Sequence, residues 1–253
     1  IYKEDWIATG ISKGGQTTLY YKYFFPNDMR VSIPYVAPLN LAYEDTRIYD
    51  FFDTIGVKEC RDRIKKYQLS LLKSREQILP LIKWYTKGMG VNYSYMSIEE
   101  AFEYAVLEYP FSFWQWGHSC EDIPSDKMPL DIKLDHLLDV ININFYSDFY
   151  INYYSSHYYQ ASTELGYYGY EIDEFKPFLK VLNKKHNPHA SFPPKDIEIT
   201  FNDTLATAVN QWIYNNGNQI VYIYGSYDTW SATAVPVNKN VDALWFFLSE
   251  KDH

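Results

Sequence analysis

Basic residues are scarce in this chain: 23 Lys and Arg stand against 32 Asp and Glu, a net charge of −9 over 253 residues. Affinity for a phosphate backbone comes from Lys and Arg displacing counterions, so this balance argues against nucleic acid as a partner. Long apolar runs are missing too. None approaches the ~20 residues that cross a bilayer, and the best stretch, Val241–Leu248, is short and includes Asp242, which argues against a membrane partner. Cysteine is almost absent: Cys60 and Cys120 are too few for a disulfide framework and do not have C-x-x-C spacing. One bridge and two buried thiols are both compatible with them, so the redox compartment stays open. No glycine-rich loop that would cradle a phosphate occurs, and no internal repeat. What is present is an apolar fraction of 47%, enough to bury a sizeable core, and this excludes intrinsic disorder.

The pattern along the chain predicts strands alternating with helices at both ends. Trp6–Thr9 reads as the end of a buried strand, and Lys13 to Phe25 as a helix closed by Pro26. Val31–Val36 reads as a second strand. Val57, Cys60, Ile64, Tyr67 and Leu71 then recur at helical spacing with charges between them. Ser74 with Gln77, and Ser97 with Glu100, have the form of capping boxes, with Gly88 and Pro110 as expected stops. The helical character runs to roughly Tyr170 and becomes loop-like around Pro188 and Pro193. Asn202 or Asp203 is placed to cap a helix that stops at Asn216-Gly217, and Gln219–Tyr224 and Val241–Leu248 read as late strands of a parallel sheet covered on both faces. The expectation is an α/β fold divided as 1–43, 44–198 and 199–253, the middle part being a large helical insertion.

The chemistry concentrates at one turn. Gly10-Ile-Ser-Lys-Gly14 is a G-x-S-x-G motif set directly between a strand and a helix, where a sharp turn lifts the Ser12 hydroxyl above the sheet edge. The Lys13 amide, at the helix start, is one expected oxyanion donor. A serine nucleophile needs a base and an orienting carboxylate, which in α/β-hydrolases follow in the order acid, then histidine. Asp228, on the loop after Gln219–Tyr224, and His253, after the last strand, meet that order. His186 and His189 have an H-x-x-H look, but Pro188 stands between them and no third ligand is evident, so both read as loop residues and no metal is expected. His118 and Cys120 suggest a Cys/His pair with nothing to bring them to hydrogen-bonding range, and His136 and His157 read as packing or surface residues. Nothing in the sequence asks for a cofactor.

Trp6 to Gly15, Phe24 to Asp28, Tyr35 to Pro38, Phe113-Trp-Gln-Trp-Gly117, Glu164-Leu-Gly-Tyr-Tyr-Gly-Tyr170 and Tyr224 to Trp230 together resemble the secreted bacterial prolyl tri- and tetrapeptidyl aminopeptidases. The resemblance spans essentially the whole chain. It implies a partial α/β-hydrolase sheet, from the nucleophile strand onward, with a helical cap, and a serine exopeptidase that releases short peptides from free amino termini, often after proline. It also implies a secreted or periplasmic home. Residue by residue, it implies Ser12 as nucleophile, Asp228 as acid and His253 as base.

Recognition of a peptide's free amine calls for an acidic residue in a dehydrated pocket, for which Glu164 is the choice. Trp114, Trp116 and Tyr168 are candidates to line a slot for a proline ring. Two other readings use the same residues: an esterase or lipase with the same triad, and a non-catalytic binding protein on a hydrolase scaffold. A hydrolase sheet also needs strands before the nucleophile strand. The chain therefore reads as the C-terminal portion of a longer protein, with the N-terminal part as its partner and the source of the second oxyanion donor.

Overall fold

The computed structural model describes residues 4–182 and 187–253. Among the described residues four strands, β1 (Ile7–Ile11), β2 (Val31–Tyr35), β3 (Ile220–Gly225) and β4 (Ala243–Leu248), form one parallel sheet in the order β1-β2-β3-β4. Helix α1 (Lys13–Phe24) joins β1 to β2. Between β2 and β3 the chain builds α2 (Arg47–Thr54), α3 (Lys58–Lys73), α4 (Arg75–Gly88), α5 (Ile98–Gln115), α6 (Leu130–Val140), α7 (Asp148–Tyr153), α8 (Ser155–Gln160), α9 (Pro188–Ser191) and α10 (Thr204–Asn216).

Alternation along the strands separates the sheet's two faces. Ile220, Tyr222 and Tyr224 of β3 are buried with Leu19 of α1 and Val209 and Ile213 of α10, forming a small core on one face. The other face is open among the described residues, so the cover that the sequence pattern leads one to expect on both sides is provided here on one. Ile7 and Ile11 are 61% and 62% exposed, and Leu244 and Phe246 are 59% and 48% exposed. The register sets Leu244 beside Val221 and Phe246 beside Ile223, and Tyr35 lies beside both Ile11 and Ile223. These side chains therefore make one continuous apolar surface. β1 is an edge strand of this sheet.

A second, larger core lies among the inserted helices, from Ile48 of α2 through Tyr104 and Phe111 of α5 to Leu137 of α6, and Trp230 from the loop after β3 is buried in it. Cys60 of α3 and Cys120 form a disulfide with Cα atoms 5.5 Å apart, which settles the pairing left open by the sequence. Its loop spans a sequence separation of 60, and the chain-entropy view assigns such a loop about 4 kcal/mol.

Helix boundaries differ from the sequence pattern in informative places. Ser97 and Glu100 form the reciprocal capping box at the start of α5. Ser74 does not cap α4: it is the single residue between α3 and α4, and its amide continues the preceding turn to Ser70 and Leu71. Pro110 does not end its helix. A proline inside a helix leaves the carbonyl four residues earlier without its donor, and here Gln68 Nε2 donates to that carbonyl, Val106 O, at 2.7 Å. α5 therefore continues to Gln115. Pro188, expected in a loop, opens the short helix α9, where its fixed φ suits the first turn.

Candidate active site

β1 feeds straight into α1 through Ser12, whose φ of 57° and ψ of −122° are unusual for a side-chain-bearing residue. Such a conformation costs about 1–3 kcal/mol and persists where surrounding bonds impose it. The Ser12 amide donates to Tyr35 O at the end of β2 (2.9 Å), and the Ser12 carbonyl accepts from Gln16 N (2.9 Å). The turn is possible because a Cβ at Gly10 would lie 2.4 Å from the Gly14 carbonyl, and one at Gly15 would lie 2.7 Å from Tyr35 O. Gly14 has open space around its Cα, so the crowding falls on Gly10 and Gly15 and not on the motif's second glycine. In the first turn of α1 the Lys13 amide has no carbonyl within the helix to receive it, which leaves it available as a donor.

Asp228 lies on the loop that β3 delivers, fully buried, with Oδ1 accepting from Trp230 N at 2.9 Å. Its Oδ2 accepts from His253 Nδ1 at 2.6 Å. His253 is fixed from several sides. Its amide donates to Gln115 O at the end of α5 (3.0 Å), and the Trp116 ring stands edge-on to the imidazole at 5.5 Å. The path from β4 back to Asp228 runs over Gly225, where a Cβ would lie 2.3 Å from Lys251 O, while Tyr227 N donates to that same carbonyl at 2.9 Å. Thr229 Oγ1 donates to Phe111 O (3.0 Å), so α5 braces the Asp228 loop as well as His253.

Ser12, Lys13 and His253 open onto one cavity of about 820 Å³, within the range of clefts that bury small ligands. Trp116, Tyr168, His118, His157 and Glu108 also line it. Tyr168 stacks on Phe111 with ring centroids 4.1 Å apart.

Two candidates fall elsewhere. Trp114 is core: it packs over Gly56 and edge-on to Phe113 and Tyr227, and it borders a different, charged cavity beside Lys58 and Glu171. Glu164 is not among the residues lining the active cavity. It lies in the π-turn Ala161–Leu165, which sends Ala161 and Leu165 to the cavity while Glu164 acts electrostatically on Lys13 and Tyr20.

Lys13 Nζ donates to Gln16 and Gln160 (2.8 Å each), and burial lowers its pKa to about 8 against the opposing charge of Glu164. Burial, then the charge of Lys13, lowers His157 to about 4, so this histidine is neutral at pH 7. His157 is therefore a cavity residue, where the sequence suggested packing or surface. His136 does pack, against Tyr67 and Tyr109. Cys120 is held in its disulfide and has no free thiol to pair with His118. His186 lies outside the described residues, and His189 falls in α9.

The residue that sequence reasoning missed is Glu108. Its only signal is a second glutamate, after Glu103, in the apolar and aromatic stretch of α5 that follows the acidic first turn.

The family model described as PS-10 peptidase S37 matches residues 1–244. The chain belongs to the peptidase S37 family, a family of serine peptidases. It is 30% identical over 247 residues to a prolyl tri/tetrapeptidyl aminopeptidase of Streptomyces mobaraensis, an alignment covering 96% of this chain and 51% of the relative. The chain thus spans about half the length of that relative. Among the described residues no helix is long and apolar enough to cross a membrane.

Proposed function

We propose that this chain carries the nucleophile, acid and base of a serine exopeptidase that releases short peptides, tri- or tetrapeptides ending in proline, from free amino termini. The observation that carries the reading is the buried Asp228–His253 pair at 2.6 Å, whose histidine opens on the same cavity as a serine held in a strained strand-to-helix turn. In this mechanism His253 Nε2 takes the Ser12 proton as Oγ attacks the scissile carbonyl. Asp228 holds the Nδ1–H tautomer and stabilises the imidazolium, and the Lys13 amide donates to the oxyanion. The protonated histidine then gives its proton to the leaving amine, and water repeats the sequence to release the acyl peptide.

The fold that suits this chemistry is an α/β-hydrolase sheet capped by residues 44–198, with 1–43 and 199–253 as its core. The open apolar face and the edge of β1 are proposed to be covered by the other half of the protein, which also supplies the second oxyanion donor. The Cys60–Cys120 bridge supports an oxidising, secreted or periplasmic setting.

The test uses the full-length protein and a peptidyl phosphonate. Labelling is expected at Ser12 and lost in Ser12→Ala, with turnover of a Pro-containing tripeptide nitroanilide falling on the order of 10⁶-fold. Labelling with turnover of simple esters but not peptides would turn the reading to an esterase. A protein that binds peptides and is never labelled would turn it to a binding module.

A further inference from the structure

Glu103 and Glu108 lie on the same apolar helix, and the fold treats them differently. Glu103 is fully buried and its charge is answered: Arg75 Nη1 pairs with it, and the amides of Lys180, Val181 and Leu182 donate to its oxygens. Glu108 has no such cation. Among the described residues no Lys, Arg or His forms an ion pair with it. Its partners are two phenols: Tyr168 donates to both carboxylate oxygens at 2.9 Å and Tyr170 to Oε2 at 2.5 Å.

Phenols orient a carboxylate without neutralising it. An ionised carboxylate offers about four acceptor positions, so three bonds leave room on Oε1, and Glu108 opens on the cavity that also holds Ser12 and His253. Burial raises its pKa to about 7, with the two tyrosine bonds opposing. The tyrosines whose hydroxyls feel its charge, Tyr146, Tyr158, Tyr167, Tyr168 and Tyr170, all line the same cavity. A carboxylate held by phenol hydroxyls and lacking a counter-ion makes a site for a small desolvated cation.

We propose that Glu108, oriented by Tyr168 and Tyr170, binds the α-ammonium group of the substrate's free amino terminus. This takes the place of Glu164, which does not line the cavity, and it rests on the serine exopeptidase reading of Ser12. An ammonium brings three donors, one for the unused Oε1 position, and supplies the positive charge that Arg75 gives to Glu103.

The experiment compares full-length wild type with Glu108→Gln on a Pro-containing tripeptide nitroanilide, with its amine free and acetylated, and measures the rate of phosphonate labelling at Ser12. Glu108→Gln is expected to lose 10- to 100-fold in kcat/KM on the free-amine substrate, mostly in KM. The acetylated substrate and the labelling rate should be unchanged, so the preference for the free amine collapses. Equal loss on both substrates, or no loss on either, would overturn the proposal. Should Glu108→Gln fold poorly, Tyr168→Phe and Tyr170→Phe test the same point, with a smaller loss confined to the free amine. Calorimetric binding of the tripeptide product to Ser12→Ala separates this proposal from the catalytic one: the free amine should bind more tightly than its acetylated form even where turnover is abolished, and equal affinities would refute the site. Wild type that is never labelled but shows this binding preference would refute the catalytic reading alone.

Discussion

Gly225 closes β3 directly beneath the segment that returns His253 to Asp228. An added methyl there would lie 2.3 Å from Lys251 O and 2.5 Å from Asp252 O. Both are backbone atoms that cannot rotate aside, so Gly225→Ala is roughly 1 Å short of van der Waals contact and the segment must move by about that distance. The move loosens the Tyr227 N–H bond to Lys251 O and carries His253, two residues on, away from the Ser12 turn. A displacement of about 1 Å in a catalytic group costs on the order of 10²-fold in rate. The expected result is that kcat of the full-length Gly225→Ala enzyme on a tripeptide nitroanilide, counted per phosphonate-titratable site, falls about that much. KM should change little, because His253 is the one cavity-lining residue on the displaced segment. The forced shift should also cost about 1–3 kcal/mol of stability, against roughly 0.5–1 kcal/mol gained from alanine in a strand, so the variant should still fold. A Gly225→Ala enzyme with wild-type kcat would refute the claim that this glycine sets the position of the histidine.

The two glycines of the serine motif should behave differently. Gly10→Ala is expected to abolish phosphonate labelling, because its methyl meets the Gly14 carbonyl at 2.4 Å, whereas Gly14→Ala, with nothing within 4 Å, should label at the wild-type rate. Gln68→Leu leaves Val106 O without a donor in the core and should destabilise by about 1–3 kcal/mol; calorimetry should show Tm lower by roughly 2–4 °C per kcal/mol. Glu108 gives a pH signature. Its carboxyl is raised from 4.5 to about 7, so between those values the folded state holds a proton that the unfolded chain releases. That contribution is present below pH 4.5 and lost as pH rises through 7. Glu108→Gln should therefore raise Tm at pH 8, by an amount equivalent to at most ~3 kcal/mol, and leave it unchanged at pH 4.

The site was legible where it depended on the ends of strands. Ser12, Asp228 and His253 each follow a short β-run, so a local pattern gives their position in the fold, and the structure bonds His253 to Asp228 and opens Ser12 and His253 onto one cavity. The order of strands and the long helical interruption were readable for the same reason. Side-chain direction within the helical part was not. Glu164 adjoins the tyrosine block in sequence, but the π-turn Ala161–Leu165 shifts the register and points its neighbours at the cavity instead. Trp114 and Trp116 are two residues apart at the end of α5, so one is buried in the core and the other lies 57% exposed beside His253. Pro110 was misread because the helix survives through Gln68, a contact from another helix. The open face was legible only in part, because continuous hydrophobicity in β4 marks a surface that wants cover and does not say whether these residues provide it.

Helix α5 carries Glu108 at one point and, seven residues on, the carbonyl that steadies His253. At 1.5 Å of rise per residue those points are about 10 Å apart along the axis. An extended chain covers that distance in about three residues. On the proposed function and amine site, a peptide moored at one end of this rod and cut at the other is measured by a yardstick of fixed length. The size of the product would then follow from the rise of a single helix, and an added turn in α5 between these two points would lengthen it.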